Sequence, residues 1–179
     1  MRLFVAVLLA SDTRNALCAL QNALRNATVQ GRFSRPENLH LTLAFLGELP
    51  KTSVPAARSC LDTAVSGIAP FSLAFTQLDR FRRRDGDLYY AGFSCPPQLL
   101  QLRQQLVGAL DHAGLPYDPK PLRPHLTLAR NVVLAREAHA PLPPGPIPDL
   151  TVSSIALMES ARIQGVLTYT PLYRAALSS

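Results

Sequence analysis

Two stretches of this chain pair an imidazole with a hydroxyl at the same spacing. His40-Leu41-Thr42-Leu43-Ala44 returns 85 positions later as His125-Leu126-Thr127-Leu128-Ala129. Imidazole takes up and releases a proton near neutral pH, and a threonine hydroxyl can bond an anionic oxygen. Two copies therefore offer one group to accept a proton, another to give one, and two hydroxyls to hold what lies between. A single copy would read as a hydrogen-bonded structural histidine beside a β-forming threonine. Strand propensity does not call for the same five residues twice, so the repeat favours a matched catalytic pair.

Other chemistries for two histidines fit less well. Neither motif supplies a second ligand at metal-binding spacing, and no carboxylate lies beside either, so a zinc centre is not expected. No nucleophile elbow marks a serine hydrolase. His112, at the end of a predicted helix, and His139, in a proline-rich loop, read as surface residues.

The elements that must carry the motifs follow from periodicity. In each copy small or polar residues alternate with leucines, which predicts a half-buried strand with His40 and Thr42, or His125 and Thr127, on one face. Leu41, Leu43, Leu126 and Leu128 then turn to a core. Strict alternation would send Phe45 and Arg130 to that core side as well, unless each strand ends or bulges after its alanine, or the side chain reaches round the sheet edge.

Around them, Leu3 to Leu9 reads as a buried strand and as a first element rather than a signal peptide, being short and without a small-x-small cleavage site. A helix capped by Ser11 or Asp12 runs to Gly31, with Leu17, Leu20 and Leu24 on one stripe. Arg35-Pro36 dictates an extended entry to the first motif. A helix over Thr52 to Val65, a hairpin of Phe71 to Leu78 with Leu88 to Phe93 turning at Asp85-Gly86, and a helix from Pro96 or Pro97 to Gly114 come next. Glu137 to Pro148 holds five prolines and is expected to lack regular structure. Thr151 to Met158 and Leu167 to Leu177 are the last strands, turning near Gly165.

Composition sets broad limits. A chain of 179 residues, 47% of them hydrophobic, can bury a sizeable core. No stretch approaches the length of a transmembrane helix, so no membrane partner is expected. Eighteen basic against twelve acidic residues give a net charge of +6 and a pI near 9.7, which suits a polyanionic partner. All the basic residues but Lys51 and Lys120 are arginine, the side chain that grips phosphate at two points. Arg80, Arg82, Arg83 and Arg84 crowd one hairpin tip and read as a solvated cluster. Cys18, Cys60 and Cys95 are odd in number and widely spaced, arguing for a reducing cytoplasm rather than a disulfide framework.

The repeated motif resembles the signature of the two-histidine phosphoesterase superfamily, and within it the RNA 2',3'-cyclic phosphodiesterases, historically called 2'-5' RNA ligases. That family carries His-x-Thr-x-x-Phe first and His-x-Thr-x-x-Arg second, and this chain has both, ending at Phe45 and Arg130. The resemblance extends from Arg2-Leu3-Phe4-Val5-Ala6-Val7 to the region Gly165 to Tyr173. It implies an α+β fold: residues 1–179 as one unit of two lobes related by a pseudo-two-fold, mainly antiparallel sheets lining a central cleft, helices outside. It also implies hydrolysis of a terminal 2',3'-cyclic phosphate on RNA to a 2'-phosphomonoester, with reversible 2'-5' ligation at the same centre; that scheme requires no metal, and no cofactor or obligate protein partner is expected.

On that reading His40 and His125 are catalytic, the resemblance favouring His40 as acid and His125 as base. Thr42, Thr127 and Arg130 hold phosphate oxygens, and Phe45 stacks on a base. Two alternatives stay open from the residues alone: a non-catalytic module that binds RNA ends or nucleotides, and a phosphodiesterase for a small cyclic nucleotide.

Overall fold

Thirteen helices and strands follow one another along residues 1–179, all described by the computed structural model. They are β1 (Arg2–Leu8), α1 (Ser11–Asn26), β2 (Thr28–Phe33), β3 (His40–Glu48), α2 (Val54–Val65), β4 (Phe71–Leu73), β5 (Phe75–Phe81), β6 (Asp87–Phe93), α3 (Pro97–His112), β7 (His125–Leu134), β8 (Leu150–Val152), β9 (Ser154–Ile163) and β10 (Val166–Ala176). Single 3-10 turns at Pro36–Asn38 and Lys51–Ser53 lead into β3 and α2.

Two four-stranded sheets organise the chain, with orders β10-β9-β1-β3 and β2-β7-β6-β5, and β4 pairs with β8 alone. All strand pairs are antiparallel. The fold is α+β with mainly antiparallel sheets, as the family resemblance implied. Each sheet holds one motif strand, β3 or β7. Leu41 and Leu43 of β3 and Leu126 and Leu128 of β7 enter one buried cluster, together with Leu17 and Leu20 of α1, Leu61 of α2 and Leu102 and Leu106 of α3. Both motif strands therefore rest on a shared hydrophobic base, whose burial supplies most of the driving force for holding them in place.

Three sequence expectations need correction. Gly31 does not end the first helix: α1 stops at Asn26, and Gly31 lies inside β2, where a Cβ would meet Phe33, Thr28 and Val132 at 3.3 Å. This edge strand has mostly exposed residues, so it lacks the apolar alternation that would have announced it. The run Phe71 to Leu78 is also two strands. Phe71–Leu73 pairs with Leu150–Val152, and only Phe75–Phe81 forms the hairpin with β6. Neither Ser11 nor Asp12 caps α1; Ala10 occupies that position, and Asp12 accepts the Thr13 amide from within the first turn.

Candidate active site

The phase of the motif strands decides which side chains share a face. Along β1, Val5 pairs with Ala44 and Ala6 with Thr42, so Leu43 is an extra residue on β3. Along β6, Tyr89 pairs with Ala129 and Tyr90 with Thr127, so Leu128 is the extra residue on β7. Each motif thus contains a bulge between its threonine and its alanine. The consequence is visible in burial. Leu43 and Ala44 are both buried and Phe45 is exposed; Leu128 and Ala129 are both buried and Arg130 is exposed. A one-residue slip exchanges the faces of everything beyond it, and this brings Phe45 and Arg130 round to the side of the histidines and threonines. The five-residue spacing from His to Phe or Arg is the count that a bulged strand requires.

The bulge on β7 is supported from behind. Gln21, 2% exposed on α1, donates from Nε2 to the carbonyls of Leu128 at 2.8 Å and Ser34 at 2.7 Å. The Ser34 amide also donates to the Leu128 carbonyl at 2.9 Å, and its hydroxyl to that of Thr127 at 3.1 Å. Carbonyls freed from the regular ladder in a buried bulge must find donors, and Gln21 and Ser34 provide them.

His40 Nδ1 lies 2.7 Å from the Asn38 carbonyl, and His125 Nδ1 lies 2.6 Å from the Arg123 carbonyl. A carbonyl only accepts, so in both rings Nδ1 carries the proton, and Nε2 is left to gain or lose one. His40 Nε2 is 3.0 Å from Thr42 Oγ1. Asn38 is itself fixed, its side-chain amide donating to the Leu167 carbonyl at 2.9 Å. Burial pushes the His40 imidazole below the ordinary histidine value against the pull of the Asn38 carbonyl, and positive charge at His125 and Arg130 lowers it further.

Aromatic rings flank each histidine, a feature with no local sequence signature. His40 lies 4.9 Å from Phe4 and 5.0 Å from Tyr169, centroid to centroid, with the tyrosine edge-on. His125 lies 5.4 Å from Tyr90 and 5.7 Å from Phe81, which stack on each other at 4.5 Å. Phe4 and Tyr90 lie on β1 and β6, the strands paired to the motif strands, and Tyr169 and Phe81 lie farther across the same sheets on β10 and β5, so only the tertiary fold brings them there. Such rings limit the rotation of the imidazoles and their access to water.

His40, Thr42, Phe45, His125, Thr127 and Arg130 all line one cleft of about 1210 Å³. Eight arginine and lysine side chains line it against a single carboxylate, Asp118. Arg83 is among them, so the hairpin-tip cluster expected to be merely solvated contributes one member to the cleft wall. His112 and His139 are exposed and line no part of it. No three His, Cys, Asp or Glu side chains converge anywhere to hold a metal ion. No helix is long and apolar enough to cross a membrane.

Comparison with known proteins agrees with this geometry. The family model of the 2'-5' RNA ligase superfamily matches residues 30–164. An RNA 2',3'-cyclic phosphodiesterase of Escherichia coli K12 is 32% identical over 178 residues, covering 99% of this chain and 97% of that protein. One from Geobacillus stearothermophilus is 28% identical over 152 residues, 84% of this chain, and there the match spans about half of the relative's length, 47%. The crystal structure of E. coli LigT in apo form superimposes with a TM-score of 0.79 at 31% identity, over 99% of this chain and 98% of that one. TT0787 of Thermus thermophilus does so with a TM-score of 0.79 at 29% identity and the same coverage. With three quarters of its length matched by the family model and nearly all of it by the E. coli protein, the chain belongs to the 2'-5' RNA ligase superfamily.

Proposed function

We propose that this protein is an RNA 2',3'-cyclic phosphodiesterase that opens a terminal cyclic phosphate to a 2'-phosphomonoester, with reversible 2'-5' joining at the same centre when a 5'-hydroxyl replaces water. The observation that carries this reading is a pair of histidines with Nδ1 tied to backbone carbonyls, lining one cationic cleft. A small cyclic nucleotide would need little of that charge, and a binding module would not need an acid and a base.

In this reading His125 Nε2 takes a proton from water as its oxygen attacks phosphorus. The bond from phosphorus to O3' breaks, and His40 Nε2 gives its proton to O3', leaving the phosphate on O2'. Each positioned acid or base contributes on the order of 10²- to 10⁴-fold, and charge stabilisation supplies much of the remainder. Arg130 offers a planar fork to the non-bridging oxygens, with Thr42 and Thr127 beside it. Phe45 stacks on the terminal base. Burial disfavours the imidazolium that His40 needs, and the negative charge of a bound cyclic phosphate offsets it.

Crystal structures of E. coli LigT complexed with 3'-AMP and with phosphate support phosphate-bearing ligands for this fold. The chemistry needs no metal and no cofactor. We take residues 1–179 as one bilobal unit acting in a reducing cytoplasm, in keeping with Cys18, Cys60 and Cys95 all being free thiols.

The test is incubation of an oligoribonucleotide ending in a 2',3'-cyclic phosphate with excess chelator, followed by identification of the product. A 2'-phosphate formed at undiminished rate is expected. Loss of activity restored by a divalent ion, a 3'-phosphate product, or binding without turnover would each refute the corresponding part.

A further inference from the structure

Arg32 of β2 and Arg130 of β7 are direct cross-strand partners, both exposed and both lining the cleft. Like charges placed opposite one another in an antiparallel pair repel and cost stability. Neither is relieved by a carboxylate, and nor is Arg83 on the far side of β7, although Arg35 pairs with Glu37 and Arg80 with Asp87 nearby.

Instead, Arg32 is held by Asn131. Its backbone is left-handed, with φ of 54°, in a second bulge of β7. Its side-chain oxygen accepts from Arg32 Nη2 at 2.8 Å. The hairpin tip carrying Arg83 rests on its backbone so closely that a Cβ at Gly86 would lie 2.5 Å from the Asn131 carbonyl carbon, and Gly86 also has φ of 112°. A left-handed asparagine thus orients Arg32 beside Arg130, and a glycine with no room for a side chain lets the hairpin tip close against that asparagine.

We propose that Arg32 forms a second phosphate subsite, beside the one at which Arg130 and the histidines act, and that it takes a backbone phosphate of the polynucleotide. The proposal rests on the function above for the identity of the first phosphate. Neighbouring strands lie about 5 Å apart, and the flexible stems of Arg32 and Arg130 let their guanidinium groups part further to meet two phosphates of one nucleic-acid strand. Two neighbouring guanidinium groups with no carboxylate between them are satisfied by two phosphates better than by one. The second phosphate has two possible sources: the 5' side of the terminal nucleoside, or the strand whose 5'-hydroxyl stands in for water.

Equilibrium binding distinguishes these without requiring turnover. Adenosine 3'-monophosphate and adenosine 3',5'-bisphosphate differ by one phosphate on the 5' side. The 2'-5'-linked diadenosine monophosphate, with and without a terminal 3'-phosphate, differs by one on the other strand. In one of these pairs the additional phosphate should tighten binding about tenfold at low salt, the scale of a hydrogen bond to a charged group. It should also steepen the salt dependence by roughly 0.7 in log–log slope.

Arg32→Ala and Arg32→Gln should each erode that advantage and flatten the added slope, while changing affinity for the ligand lacking the extra phosphate little. Asn131→Gly, which keeps the left-handed backbone and removes the acceptor that orients Arg32, should erode it partly. The pair that responds identifies the source. The subsite is overturned if the extra phosphate tightens binding in neither pair, or if the arginine variants weaken both members of each pair equally. The function proposed above fails on different evidence, namely absence of cyclic phosphate hydrolysis by the unaltered protein.

Discussion

Thr42 Oγ1 stands 3.0 Å from His40 Nε2, and no corresponding bond joins Thr127 to His125, whose only ring hydrogen bond is to the Arg123 carbonyl. Two copies of one motif therefore present their reactive nitrogens differently. His40 is engaged by a neighbour and withdrawn from water; His125 Nε2 has no hydrogen-bond partner from the protein. That asymmetry accords with unlike roles for the two rings in a single displacement.

The first prediction concerns pH. With burial holding His40 below the ordinary histidine value of 6.5, its imidazolium is lost at lower pH than in an exposed ring. A general acid works only while protonated, so the alkaline limb of kcat/KM, which reports the free protein, should fall early. Bound phosphate favours the imidazolium, so the alkaline limb of kcat should lie higher. Proton NMR titration should show His40 below 6.5 in the empty protein and moving up with inorganic phosphate. A ring titrating at or above the ordinary value without phosphate would remove the basis for this expectation.

Phe45 is 47% exposed, so Phe45→Ala should cost little stability, within about 0.5 kcal/mol. Its stacking on a base is expected to be worth about 1–3 kcal/mol. KM for a nucleobase-bearing cyclic phosphate should rise accordingly, while ribose 2',3'-cyclic phosphate, which has no base, should be unaffected. An equal loss on both substrates would assign Phe45 to packing.

Arg130→Lys keeps the charge and removes the two-point fork. Stabilisation of developing charge at phosphorus should then fall, lowering kcat by on the order of 10²-fold. Thermal stability should hardly change, since Arg130 is exposed. Near-normal kcat with only a raised KM would confine Arg130 to ground-state binding.

Gln21 never touches the cleft, yet Gln21→Leu should impair it. Removing two buried donors leaves the Ser34 carbonyl, and part of the Leu128 carbonyl's bonding, without a partner, at about 1–3 kcal/mol measurable by urea unfolding. Loosening the bulge should also reduce kcat more than it raises KM, because Arg130 loses its fixed phase. In an Arg130→Lys background the additional kcat loss should shrink, whereas a purely global destabilisation would add in full.

Much of the site is legible in the sequence because its strands alternate. His40, Thr42, His125 and Thr127 sit on one face of each strand for the reason that leucines occupy the other. Phe45 and Arg130 contradict that alternation and enter the site only through the family resemblance, since the bulges at Leu43 and Leu128 are defined by partner strands that a one-dimensional pattern does not contain. The rings of Phe4, Tyr169, Tyr90 and Phe81 are invisible as neighbours of the histidines for the same reason. β2 gives no signal because an edge strand with few buried residues leaves no hydrophobic period. Arg32 and Asn131 are equally silent, as an arginine acquires meaning only from what lies opposite.

The strand order β10-β9-β1-β3 pairs early strands with the last ones, while β5, β6 and β7 from the middle build the other sheet with β2 at its edge. Every residue named in the catalytic scheme has left the ribosome by position 130, but β1 acquires its second neighbour only when Ser154–Ile163 follows. Nascent chains should therefore emerge with both histidines present and no working centre, the strand beside His40 being half paired and Tyr169 still unmade. Pairings this distant in sequence close slowly. A truncation after Asp149 deletes none of the six residues yet should abolish activity, and a separately supplied segment from Leu150 onward should restore it by strand addition.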